Sequence, residues 1–124
     1  VAGRAAAAAE VASVKQCRIV GERGTVSKVA IACGSGGSFL GAASARGCHA
    51  LITGEATFHT CLEAEALGIV LVLVGHYGSE RFAMEQLAVL LAERLRRSGS
   101  ELDVFASCAD IDPLRVVSAD HKNH

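Results

Sequence analysis

With 124 residues the chain has the length of a single domain, and because it is 51% hydrophobic but only 4% aromatic, its core must be built from Ala, Val, Leu and Ile. Twelve basic against thirteen acidic residues leave a net charge of -1, so the totals carry no electrostatic footprint of a nucleic-acid or anionic-lipid binder. Five widely spaced cysteines (Cys17, Cys33, Cys48, Cys61, Cys108) with no CxxC pair indicate neither a disulfide framework nor a structural zinc site, and fit a reducing, cytoplasmic setting.

Residues 4–15, "AAAAAEVASVKQ" in their main part, predict a helix already under way, rich in good helix formers and with no capping residue ahead of it. Since Val1 is not a methionine either, an upstream part is expected. The run "CRIVG" at 17–21 is apolar and closed by glycine. "KVAIAC" at 28–33 is a β-branched run that predicts a buried strand ending in the loop "GSGGS". "SFLGAASARG" predicts a short helix with Phe39, Leu40 and Ala43 on one side and a stop at Gly47. A second strand is predicted at 49–53 ("HALIT"), then a helix in "ATFHTCLEAEALG" ending at Gly68. "IVLVLV" at 69–74 is the third strand and far too short to cross a bilayer. Ser79 is expected to cap a long helix through about Arg97, with Met84, Leu87, Leu91 and Leu95 recurring at helical steps. "LDVFA" at 102–106 predicts a fourth strand.

Strands and helices that alternate with short connections predict an α/β domain with a largely parallel sheet, right-handed crossovers and helices on both faces. The apolar runs at 29–33 and 69–74 lack alternation, as burial on both faces requires. Residues 1–116 form one domain in this reading, and 117–124 a frayed tail whose His121 and His124 are a solvated end.

In an open parallel sheet, ligands bind beyond the C-terminal strand ends, where three loops of this chain meet: "GSGGS", "TGEATFH" and "GHYGSE". In the third, His76 leaves a strand end and Glu80 enters the following helix, with Gly75 and Gly78 permitting the bend. An imidazole and a carboxylate so placed can share a divalent ion whose other donors come from elsewhere; a helix-start carboxylate and a locally bonded histidine would show the same spacing. "TGEATFH" offers Glu55 and His59 as catalytic candidates, His59 either facing substrate or simply covering a partly buried face of its helix, with Glu55 also at the interval from the glycine loop where a dinucleotide fold binds a ribose hydroxyl. Against that fold, Phe39 stands at the third glycine position of GxGxxG, and no Lys-Ser or Lys-Thr pair makes a P-loop. The backbone of 34–38 could cradle an anion or could be a tight turn. Cys33, on a strand expected to be buried, reads as an inert core thiol.

Taken together, "VAIACGSGGSFLGAASARGCHALITGEATFH", "GIVLVLVGHYGSER" and "ADIDPL" resemble the C-terminal half of the GTP cyclohydrolase I type 2 homologues, or Nif-three-like proteins, over roughly residues 28–114. The resemblance implies one lobe of a two-lobe fold with a dinuclear metal site in the cleft, assembled as a homohexameric ring. It implies that His76 and Glu80 are metal ligands from this half and that His59 lines the cleft. The cofactors so implied are two divalent ions per complete site, with zinc, iron, manganese and magnesium equally compatible. The family's remaining ligands, a histidine pair and an aspartate, belong to an N-terminal lobe that is expected as a partner, and no adjacent His-His pair occurs here. Thr60 departs from the acidic residue the family carries after the histidine. The implied activity is a metal-dependent hydrolase acting on a nucleotide or phosphate-bearing small molecule; the other reading is a non-catalytic ring-forming module with a structural metal.

Overall fold

The computed structural model describes Gly3, residues 16–115 and Val117. The helix expected at 4–15 and the histidines of the tail lie outside the described residues. A four-stranded sheet organises the rest: β1 (Arg18–Val20), β2 (Val29–Ala32), β3 (Ala50–Thr53) and β4 (Val70–Leu73), in the spatial order β1-β4-β3-β2. Pairs β2/β3 and β3/β4 are parallel and β1 runs antiparallel to β4. A 3₁₀ turn (Gly36–Phe39) leads into α1 (Leu40–Ala45); α2 spans Phe58–Ala66 and α3 spans His76–Arg97. The fold is therefore α/β with a largely parallel sheet.

Each crossover follows from local chemistry. Gly47 and Gly68 take positive φ of 67° and 66° and stop α1 and α2 where the sequence predicts, and Thr57 Oγ1 caps α2 by accepting from Thr60 N at 3.2 Å. Leu40 and Ala64 press α1 and α2 against Leu51, Leu71 and Leu73 on one face of the sheet. The other face gathers Val26, Ala50, Val70, Val72 and Val74, with Cys17 and Ile52 packed against them. Strand β4 is buried at every residue, as a run without alternation requires of a central strand.

Four expectations are corrected. Strand β2 is the edge of the sheet, so its run is not buried on both faces: Ile31 is 72% exposed and Cys33, expected in the core, is exposed. Phe39 points outward at 58% exposure while Leu40 and Ala43 take the buried side. Residues 102–106 are not a strand; the fourth strand is β1, and "LDVFA" instead runs back beside α3, sharing a groove with Ala88, Val89 and Ala92. Ser79 does not cap α3, which starts three residues earlier because Gly75, at φ 85°, makes the turn out of β4 itself. No helix among the described residues is long and apolar enough to cross a membrane.

Candidate metal centre

The C-terminal ends of β2, β3 and β4 are tied into one knot. Thr53, 1% exposed, donates from Oγ1 to Gly34 O at 3.1 Å and accepts from Gly36 N at 2.9 Å. Ser79, 5% exposed, accepts from Gly34 N at 2.8 Å and donates to His76 O at 2.9 Å. Glycine is required where these chains meet: a Cβ on Gly36 would stand 2.5 Å from Thr53 Oγ1, and one on Gly54 would stand 2.6 Å from Ser79 Oγ. The amides of Gly34 and Gly36 are thus spent on Ser79 and Thr53, which holds the start of 34–38 as a tight turn.

The knot places an imidazole between two carboxylates. Glu55 Oε2, at the end of β3, lies 3.3 Å from His76 Nδ1, and Glu80 Oε1, one turn along α3, lies 3.4 Å from His76 Nε2. Ser35 Oγ donates to Glu55 Oε2 at 3.3 Å. All three site side chains are about half open to solvent, at 41% (Glu55), 46% (His76) and 51% (Glu80). His59 stays outside this chain of contacts: it is exposed in the first turn of α2, with its ring edge-on to Phe58.

An imidazole so flanked can meet the two carboxylates in two ways. Either an imidazolium donates to both carboxylates, or a neutral ring keeps its proton on Nδ1 for Glu55 and turns the Nε2 lone pair toward Glu80. In the second state two acceptors face each other, an arrangement a shared cation satisfies. The spacing fits: two ligand atoms about 2.0–2.1 Å from a tetrahedral zinc stand about 3.3–3.4 Å apart. Glu55 then holds the ligating histidine by its other nitrogen, an arrangement that fixes the tautomer of metal-binding histidines. No third His, Cys, Asp or Glu joins the pair in a metal-holding group among the described residues. Sequence reasoning missed Glu55 as the partner of His76 and Ser79 as the bond between the loops, because neither 21 nor 45 residues of separation leaves a periodic signal.

Beyond the site, α3 carries Met84, Leu87 and Leu91, each 43–52% exposed, on the same helical stripe as His76 and Glu80. Comparisons with known proteins agree with this architecture. The Duf34/NIF3 (NGG1p interacting factor 3) family matches residues 2–113. The NIF3 homolog of Schizosaccharomyces pombe is 33% identical over 105 residues, covering 84% of this chain and 37% of that protein. A GTP cyclohydrolase 1 type 2 homolog of Streptococcus pneumoniae is 35% identical over 92 residues, covering 74% and 34%. In structure, a Bacillus cereus protein related to NIF3 superposes with a TM-score of 0.76 at 29% identity, covering 86% of this chain and 29% of that one. The chain spans little more than a third of the length of these two sequence relatives.

Proposed function

This chain belongs to the Duf34/NIF3 family, and from that premise we propose that His76 and Glu80 supply two ligands of a divalent-metal centre whose other donors come from a body packed against the same face. One observation carries the reading: His76 Nε2 and Glu80 Oε1 converge to 3.4 Å across a point that Gly34 keeps clear of side-chain atoms. When bound, a divalent ion there supplies Lewis-acid polarisation and activation of water. Glu55 keeps the His76 proton on Nδ1 and orients the ring, and the half-open geometry admits a small molecule from solvent. The name GTP cyclohydrolase 1 type 2 homolog, carried by the Streptococcus pneumoniae relative, makes a nucleotide or another phosphate-bearing molecule the substrate class to test, with hydrolysis as the reaction.

The stripe of Met84, Leu87 and Leu91 supports the source of the missing donors. An apolar surface that continues directly from two ligands fits a second body lying along α3. The same stripe favours a second reading, an assembly module in a homo-oligomeric ring in which the metal is structural. The experiment is a metal titration of the intact protein followed by a nucleotide-hydrolysis screen with and without chelator. Metal loss on His76→Ala and Glu80→Gln together with chelator-sensitive turnover supports the hydrolase; full loading without turnover favours the module; undiminished loading in both variants overturns the centre.

A further inference from the structure

Tyr77 and Arg81 alternate with His76 and Glu80 through the first turns of α3, and each stands about 100° around the helix from its neighbour. They therefore face a different surface from the site, and there they grip the returning chain. Arg81 Nη2 donates to Ser107 O at 2.6 Å, and its Nε lies 3.1 Å from Asp110 Oδ2. Tyr77 Oη donates to the Asp110 carbonyl oxygen at 3.0 Å and is 3.3 Å from its carboxylate. Arg81 is only 18% exposed, the degree of cover expected of a held side chain rather than a solvated one.

The helix has few other restraints near the site. Only Gly78 and Ser79 of its 22 residues are buried, and it leaves the sheet through Gly75, a residue with no side chain to resist rotation. His76 and Glu80 lie in the first turns beyond Gly75, so a rotation of the helix about its own axis at that root turns both side chains relative to Glu55. Ser79 pins the inner side, to Gly34. The strap at 107–110 pins the flank.

We propose that Tyr77, Arg81 and Asp110 are positioning residues: they clamp the strap to α3 and so hold His76 and Glu80 in the orientation in which their ligand atoms converge. The proposal rests on the reading of His76 and Glu80 as metal ligands, but the clamp has a signature of its own. In the intact protein, amide hydrogen exchange is compared among wild type, Tyr77→Phe and Asp110→Asn, alongside titration with zinc chloride and manganese chloride. Tyr77→Phe removes a single hydroxyl and so guards against a variant that fails to fold.

The expected result is exchange at least about tenfold faster at residues 76–82 and at 107–110, unchanged exchange in β3 and β4, and metal affinity about tenfold weaker, as loss of an outer support costs other sites. Faster exchange confined to 107–110 overturns the clamp, since the strap is then a passenger. Faster exchange at 76–82 with unchanged affinity overturns its role in positioning the ligands. A wild type that binds neither metal sinks the ligand reading and with it the positioning role, while exchange at 76–82 still decides whether the strap restrains the helix.

Discussion

A Cβ added to Gly34 would stand 2.5 Å from Oε1 of Glu80 and 3.3 Å from Nε2 of His76. The glycine at the end of β2 thus keeps open the point on which the two candidate ligand atoms converge, and its φ of 62° is one that other residues resist. Gly34→Ala is expected to cost about 1 kcal/mol of stability from backbone strain and to weaken metal binding more than that strain explains, because the methyl displaces the Glu80 carboxylate. Thermal unfolding and metal titration of the same preparation separate the two effects. Wild-type metal affinity in a folded Gly34→Ala protein would count against the site.

Glu55 reaches His76 Nδ1 from the loop after β3, a position from which a carboxylate favours the tautomer with its proton on Nδ1. Glu55→Ala is expected to weaken metal binding about 10- to 100-fold, in line with other histidine-supporting carboxylates. Stability should change little, since Glu55 is 41% exposed and its hydrogen bond to Ser35 is long at 3.3 Å. Competition against a chromogenic chelator measures the loss. Unchanged affinity would return Glu55 to a purely local role.

Ser79 joins the loop after β2 to the first turn of α3 through one oxygen. Replacing it with Ala leaves the Gly34 amide without its acceptor in a buried position, a loss worth about 1–3 kcal/mol. Chemical denaturation should show that decrease with an unchanged dependence on denaturant, because the surface exposed on unfolding stays the same. A Ser79→Ala protein of wild-type stability would mean that water or a shift of the loop replaces the bond.

These relationships explain what the sequence could and could not reveal. The runs at 50–53 and 70–73 were legible because central parallel strands are buried on both faces and their apolar character survives any error of detail. The run at 29–32 has the same letters but sits at an edge, and position in a sheet leaves no trace in local periodicity. "LDVFA" has the β-branched and aromatic content of a strand, yet it lies on α3, whose Tyr77 and Arg81 bind the residues just after it. The proximity of His76 and Glu80 was legible because a spacing of four is local, although the bend expected between them at Gly78 is absent and both stand in the opening turns of α3. Glu55, His76 and Ser35 meet only through the sheet, and that meeting is written nowhere in a window of adjacent residues.

The side-chain hydrogen bond from Ser107 is the largest influence on Asp110; its own backbone, the Arg81 charge and Tyr77 add to it against the cost of burial, and together they hold the carboxyl below the ordinary aspartate value of 3.8. Burial works to lower the Arg81 guanidinium, but Tyr77, Asp110 and Glu85 together raise it, so Arg81 stays charged throughout. A carboxyl whose folded value is depressed contributes stability that is present above the unfolded value and is lost as pH falls through the folded one. The strap should therefore stay attached at neutral pH and loosen below about pH 4, and Asp110→Asn should remove that acid step while leaving any loss due to other carboxylates. Amide exchange at 107–110, followed from pH 6 to pH 3 with correction for intrinsic rates, reads the transition. An acid step of the same size in Asp110→Asn would assign the loosening to another carboxylate.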